Sequence, residues 1–140
     1  MKSIIFIRHA EATPISINIT DFNRPLNNQG IKDAKLIGNF IYNNNKSIDM
    51  IISSSANRAI STAKIIAKQI DFNKTIDEKK TIYNATPNQI IDIINKLNNN
   101  FQIIVLCGHN PALHILSEQL TNKKINHFST CSIVKINFNV

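Results

Sequence analysis

Residues 4–13 read IIFIRHAEAT, and the reading of this stretch decides the fold. Ile4, Ile5, Phe6 and Ile7 form a short apolar run, the pattern of a strand buried on both faces. The run passes straight into Arg8 and His9 with no turn residue to prepare an exit. A core strand has to end somewhere, and polar residues mark ends. An open α/β sheet also places its chemistry just beyond the carboxyl ends of its strands, so the same pair is a candidate reaction site. The rest of the chain distinguishes the two.

Strand signals occur at about 3–8, 48–53, 101–107 and 131–138, and helical patterns fill the intervals. QGIKDAKLIGNFIYN, residues 29–43, carries Ile31, Ala34, Leu36, Ile37, Phe40 and Ile41 close to one stripe. ANRAISTAKIIAKQI, residues 56–70, does the same with Ala59, Ala63, Ile66, Ala67 and Ile70. TPNQIIDIINKL, residues 86–97, opens with Thr86 as N-cap, Pro87 at the first helical position and Gln89 at capping-box spacing. NPALHILSEQL, residues 110–120, repeats the device, with Asn110 expected to cap and Pro111 in the first turn. Strands alternating with helices predict an α/β fold: a single-domain three-layer sandwich over residues 1–140. Its mostly parallel central sheet carries helices on both faces. The last strand follows a short connection, residues 121–130, which predicts a hairpin-like or antiparallel edge. The longest irregular stretch, residues 10–28, comes directly after the Arg8-His9 pair, and loops of that length in a compact domain are commonly functional.

At 140 residues the chain suits one domain with a sizeable core. No segment approaches the roughly 20 apolar residues of a bilayer span, and the start does not read as an export signal. Cys107 and Cys131 both lie in apolar, strand-like stretches where free thiols act as small hydrophobes. Together these features predict a cytoplasmic protein without a disulfide or a membrane partner. The net charge of +7 raises the question of nucleic acid. The lysines are scattered, however, with only Lys79-Lys80 and Lys123-Lys124 adjacent, which reads as a solvated surface. Asn, Ile and Lys are so over-used that the bias looks compositional, and in such a background each retained arginine is informative. There are three: Arg8, Arg24 and Arg58. Arginine presents a planar fork of donors that grips a phosphate through two oxygens at once.

Three strand ends carry polar residues: Arg8 and His9 on the first; Ser53, Ser54 and Ser55, with Arg58 one turn on, after the second; Gly108, His109 and Asn110 after the third. In a parallel sheet these ends share one edge. Taken singly, each has a bland reading as a strand terminus, a surface helix residue or a cap. Together they place two histidines and two arginines around one pocket. A phosphoryl group in transfer spreads charge over its equatorial oxygens, and catalysis rests on positioning and fixed positive charge. Arg8 and Arg58 would clamp those oxygens, with His109, Asn110 and the free N–H groups at the start of the fourth helix adding to the phosphate site. His9 could attack phosphorus, and His109 manage protons. No metal or other cofactor is required.

IRHAEA, NRPLNNQG, SSSANRAISTA and CGHNPAL stand in the order and approximate spacing of the histidine phosphatase (phosphoglycerate-mutase-like) superfamily, which the chain resembles over nearly its whole length. The Arg-Pro-Leu step at Arg24–Leu26, the His-Asn-Pro step at His109–Pro111 and the short chain make it similar to the small bacterial phosphohistidine phosphatases of SixA type. The resemblance implies that His9 is transiently phosphorylated and that Arg8, Arg58 and His109 complete the phosphate pocket. Two departures matter. Ala10 stands where the family has glycine, so the backbone there needs room more than positive φ. YNATP, residues 83–87, has no carboxylate where many members carry a general acid. Glu11 is the nearest replacement, with Asp77 and Glu78 further away.

The missing acid bears on substrate. An alkoxide leaving group needs a proton, whereas the imidazole of phosphohistidine leaves as a neutral base. The expected function is therefore a phosphohistidine phosphatase acting on a histidine-phosphorylated phosphorelay or phosphotransfer protein. The alternatives are a small-molecule phosphomonoesterase of the same superfamily, which a carboxylate brought close to His9 would favour, and a non-catalytic phosphate-binding or basic nucleic-acid-binding module. Arg24 is expected to anchor the long loop or border the pocket. His114 and His127 read as structural or surface residues.

Overall fold

In the computed structural model, which describes residues 2–45 and 47–138, the apolar run of residues 4–7 lies inside strand β1 (Lys2–Arg8). Then follow α1 (Asn28–Asn44), β2 (Met50–Ser54), α2 (Asn57–Gln69), β3 (Asp77–Lys79), α3 (Pro87–Asn95), β4 (Ile103–Gly108), α4 (Ala112–Thr121) and β5 (Ile133–Phe138). Short 3-10 turns lie at Asp21–Asn23 and Lys80–Ile82. The strands form one sheet in the order β3-β2-β4-β1-β5. The first four of these run parallel, and β5 pairs antiparallel with β1 as the expected edge.

The unbroken apolar strands are explained by helices on both faces. Ile4, Phe6, Ile52, Ile104 and Leu106 pack with Ile90 of α3 and Leu113 and Leu116 of α4. Their alternating neighbours Ile5, Ile7, Ile51, Val105 and Cys107 pack with Ile41 of α1 and Ala59, Ala63 and Ile66 of α2. Three layers result, and the period-2 alternation that a one-sided sheet would show is absent from β1, β2 and β4 because both their faces are covered. Cys107 and Cys131 are buried free thiols. Burial pushes the Cys107 thiol up, and that of Cys131 to about 12, so both stay protonated.

Helix α3 carries the capping box: Thr86 Oγ1 accepts from Gln89 N at 3.2 Å, and Gln89 Oε1 accepts from Thr86 N at 2.9 Å. Two expectations are corrected. A fifth strand, β3, forms where DEK offers no apolar pattern; it is three residues long and takes its register from β2 alone. Asn110 does not cap α4. Pro111 occupies that position with helical dihedrals and no side-chain bond, because the Asn110 amide is turned to the Phe128 carbonyl at 2.7 Å.

The parallel strands end level. Arg8 stands opposite Gly108, and Ser53 opposite Cys107, so residues just past β1, β2 and β4 emerge on one edge.

Candidate active site

The backbone of Arg8 and His9 is fixed from both sides. His9 N donates to Gly108 O at 3.0 Å, and Cys131 N reaches the carbonyls of Arg8 and His9 at 3.0 and 3.1 Å. Ala10 is fully buried against Ala34 and Cys131, and its N–H donates to Thr62 Oγ1 at 2.9 Å. Its φ is not positive. The site at residue 10 therefore demands a small side chain, and alanine meets that demand.

His9 Nδ1 lies 2.8 Å from Ala10 O. A carbonyl only accepts, so Nδ1 carries the proton and Nε2 keeps its lone pair. Arg58 Nε donates toward that lone pair at 3.3 Å. Burial, followed by the charges of Arg58, Arg8 and Arg24, outweighs the Ala10 bond and lowers the His9 pKa to about 4. The imidazole is neutral at physiological pH, with its lone pair on Nε2. The His109 ring centroid is 5.2 Å from that of His9. His109 Nε2 lies 2.8 Å from the fully buried Ser54 hydroxyl, which also accepts from Ala56 N at 3.2 Å. Burial, then proximity to His9 and Arg58, lowers its pKa to about 3.

Arg8 Nη1 donates to the Phe128 carbonyl at 3.2 Å, the same oxygen that holds Asn110. Among the described residues, four buried side-chain polar atoms lack a hydrogen-bond partner within the protein. Three belong to this edge: Arg8 Nε, His109 Nδ1 and Asn110 Oδ1. Such atoms are costly in a folded chain unless a ligand or water engages them, and their concentration here marks a binding edge.

The fold also brings in residues for which sequence reasoning assigned no role. Asp21 Oδ2 accepts from Arg58 Nη2 at 3.1 Å and from the Tyr83 hydroxyl at 2.5 Å. Its Oδ1 accepts from Arg24 Nε at 3.0 Å, and its backbone carbonyl from Arg58 Nη1 at 2.7 Å. The Tyr83 bond first, then Arg58 and Arg24, hold the Asp21 carboxyl down at about 2 against the opposing effect of burial. The one sequence-level signal was the Asp-x-x-Arg spacing of residues 21 and 24. Arg24 anchors the long loop as expected, its Nη1 donating to Thr13 O at 2.8 Å. Glu11 is not brought to His9: its exposed carboxylate accepts from Asn27 Nδ2 at 3.0 Å, on the α1 side. Asp77 and Glu78 lie in β3. His114 Nε2 donates to Ile125 O at 2.6 Å, a structural contact, and His127 is an exposed residue of an open cleft.

Two clefts flank the polar edge. One, of about 360 Å³, is bordered by Arg58, Tyr83, Asn84, Pro87, His109 and Pro111. The other, of about 520 Å³, is bordered by Arg8, Asn110, His114, His127, Phe128 and Ser129. Among the described residues no group of three or more His, Cys, Asp or Glu side chains is placed to hold a metal ion. An unprotonated imidazole nitrogen beside two guanidinium groups and a second histidine is a chemistry for phosphoryl groups: a nucleophile in a field that stabilises anionic oxygens.

The profile of the histidine phosphatase superfamily (branch 1) matches residues 4–80. The uncharacterized protein Rv1276c of Mycobacterium tuberculosis is 31% identical over 111 residues, covering 79% of this chain and 67% of that one. Among solved structures, a candidate phosphohistidine phosphatase SixA from Agrobacterium tumefaciens superposes with a TM-score of 0.88 at 24% identity, over 96% of this chain and 90% of that one. The protein histidine phosphatase SixA complexed with tungstate superposes with a TM-score of 0.87 at 17% identity, over 98% and 88%. At these identities the structural likeness establishes the fold.

Proposed function

This chain belongs to the histidine phosphatase superfamily (branch 1), and on that premise we propose that it is a phosphatase that removes phosphate from a histidine-phosphorylated protein through a covalent phosphohistidine intermediate on His9. One observation carries the reading. The nucleophile is neutral and correctly tautomerised, while the carboxylate that reaches the phosphate clamp, Asp21, is held ionised near 2 and has no proton to donate. Such a site handles a leaving group that departs without a proton. The imidazole of phosphohistidine is one, and an alkoxide is not.

In the first step His9 Nε2 attacks phosphorus. The P–N bond of the substrate breaks, and its electron pair returns to the departing imidazole nitrogen. Arg8 and Arg58 take the charge of the equatorial oxygens, and the Nδ1–H···Ala10 bond steadies the His9 ring as it gains positive character. In the second step water attacks phosphorus and the His9–P bond breaks. The Nε2 pair returns to His9, and the water proton passes to His109 or to a phosphate oxygen. Asn110 lines both clefts, and its amide donates to the Phe128 carbonyl. The partner is a phosphorelay or phosphotransfer protein of the cytoplasm, whose phosphohistidine reaches the edge through the open clefts. No helix among the described residues is long and apolar enough to cross a membrane.

The second reading is a small-molecule phosphomonoesterase, favoured by the arrival of a carboxylate, Asp21, at Arg58. The two separate on rates for a phosphohistidine-bearing protein beside a panel of alkyl phosphates, with His9→Ala as control. Rapid, His9-dependent release from phosphohistidine alone is the expected result. Comparable turnover of the esters would remove the leaving-group argument, and residual activity in His9→Ala would remove the nucleophile.

A further inference from the structure

The guanidinium of Arg58 is held along two edges. Nη1 and Nη2 donate to the backbone carbonyl and Oδ2 of Asp21, while Nε on the inner edge donates to His9 Nε2. An arginine side chain has several rotatable bonds, and a guanidinium fixed at one end only would swing about the other. Asp21 is itself braced. Its second oxygen is occupied by Arg24, which is tied to Thr13, and the oxygen facing Arg58 also receives the Tyr83 hydroxyl. The Tyr83 ring stands edge-on to Phe22 at 5.0 Å and to His109 at 5.6 Å, with Arg58 Cζ 5.8 Å from its centroid. Arg58, Asp21, Tyr83 and His109 thus form one connected frame around the nucleophile.

We infer that Asp21 is a positioning residue of the phosphoryl site: it takes the outer edge of the Arg58 guanidinium so that the inner edge faces the atom where the His9–phosphorus bond forms. It touches neither substrate nor phosphorus and exchanges no proton. The inference rests on the phosphatase reading for its catalytic meaning, though the anion clamp it describes can be tested without turnover.

A carboxylate next to an anion site has two opposite consequences. As a bystander it repels the anion, and its removal tightens binding. As the brace of a clamp it orients the guanidinium, and its removal weakens binding in spite of the lost repulsion. Calorimetric titration with tungstate, on wild type and on Asp21→Asn, Asp21→Glu and Tyr83→Phe, separates the two by sign. The expectation is roughly tenfold weaker tungstate binding in Asp21→Asn, partial recovery in Asp21→Glu, and a smaller loss in Tyr83→Phe. Heteronuclear NMR of the His9 imidazole is expected to register the loss of the Arg58 Nε contact as a changed Nε2 shift. In turnover the loss falls on kcat more than on KM. Tungstate affinity in Asp21→Asn equal to or tighter than wild type, with His9 shifts unchanged, overturns the inference. Wild type inert toward phosphohistidine, together with a weakened clamp in Asp21→Asn, would instead overturn the substrate reading and leave the positioning role standing.

Discussion

Gly30 lies in the first turn of α1, where Asn27 caps the helix by accepting from Gly30 N at 2.8 Å. Elsewhere in a helix, Gly→Ala stabilises by about 0.5–1 kcal/mol because glycine loses more backbone freedom on folding. Here the sign reverses. A Cβ at position 30 would stand 2.1 Å from Glu11 O and 2.9 Å from Glu11 N, and both are backbone atoms that no rotamer change can move. That carbonyl accepts from Asn27 N at 3.1 Å, so relieving the clash also breaks the bond tying the long loop to the helix. Overpacking costs on the order of 1–3 kcal/mol and the lost bond about 1 more, against which the helix gain is minor. Gly30→Ala is therefore expected to lower stability by about 1–3 kcal/mol, a fall of several degrees in Tm for a domain of this size. The damage reaches the site, because residue 11 follows Ala10, whose carbonyl fixes the His9 tautomer. Urea denaturation and phosphatase kinetics on the same preparation provide the assay. A variant as stable as wild type, or more so, would show that the loop does not rest on α1 as described, and the explanation of Gly30 would fail.

Acidification acts through the two buried imidazoles. His9 and His109 sit at about 4 and 3 in the folded chain against 6.5 in the unfolded one. The unfolded chain binds protons first, so their stability contribution is full above about pH 6.5 and is lost as the pH falls through 4 and 3. Between pH 7 and pH 5 each costs about 2 kcal/mol; an unchanged urea midpoint over that interval would contradict the burial of both rings. By the same shift, the acid limb of kcat/KM is expected near pH 4 rather than 6.5, read on an acid-stable substrate analogue, and a limb at 6.5 would mean that His9 is solvated. Ser54→Ala removes the partner of His109 Nε2 and leaves Ala56 N unsatisfied, a loss of about 1–3 kcal/mol with kcat expected to fall roughly tenfold. A stability loss with unchanged kinetics would reduce Ser54 to a structural residue.

Much of the fold was legible because its signals are local. The apolar runs at 4–7, 50–52 and 103–107 identify strands buried on both faces, and the capping box at Thr86 marks a helix start whatever lies beyond it. The antiparallel edge follows from the shortness of residues 121–130. The strand β3 was not legible, since three charged or polar residues at a sheet edge owe their conformation to pairing with β2 rather than to any pattern of their own. Asn110 misled for a similar reason: an asparagine before a proline has cap chemistry, but a carbonyl eighteen residues away competes for its amide.

The same division runs through the site. Chain order alone was enough to expect Arg8, His9, Arg58 and His109 together, because parallel strands compel their ends to share an edge. Sequence neighbourhood suggested Glu11 as the acid, yet the irregular chain after β1 runs against the start of α1, where Asn27 takes both the carboxylate and the backbone carbonyl of Glu11 and keeps it from His9. Asp21 and Tyr83 stand 62 positions apart and meet over one oxygen. Nothing in either segment encodes that meeting: it depends on the path of an irregular loop held by Arg24 and on the turn after β3. Periodicity and capping are properties of neighbours along the chain and can be read from it, whereas the protonation state and alignment of a catalytic group are set by burial and by partners that only the folded chain assembles.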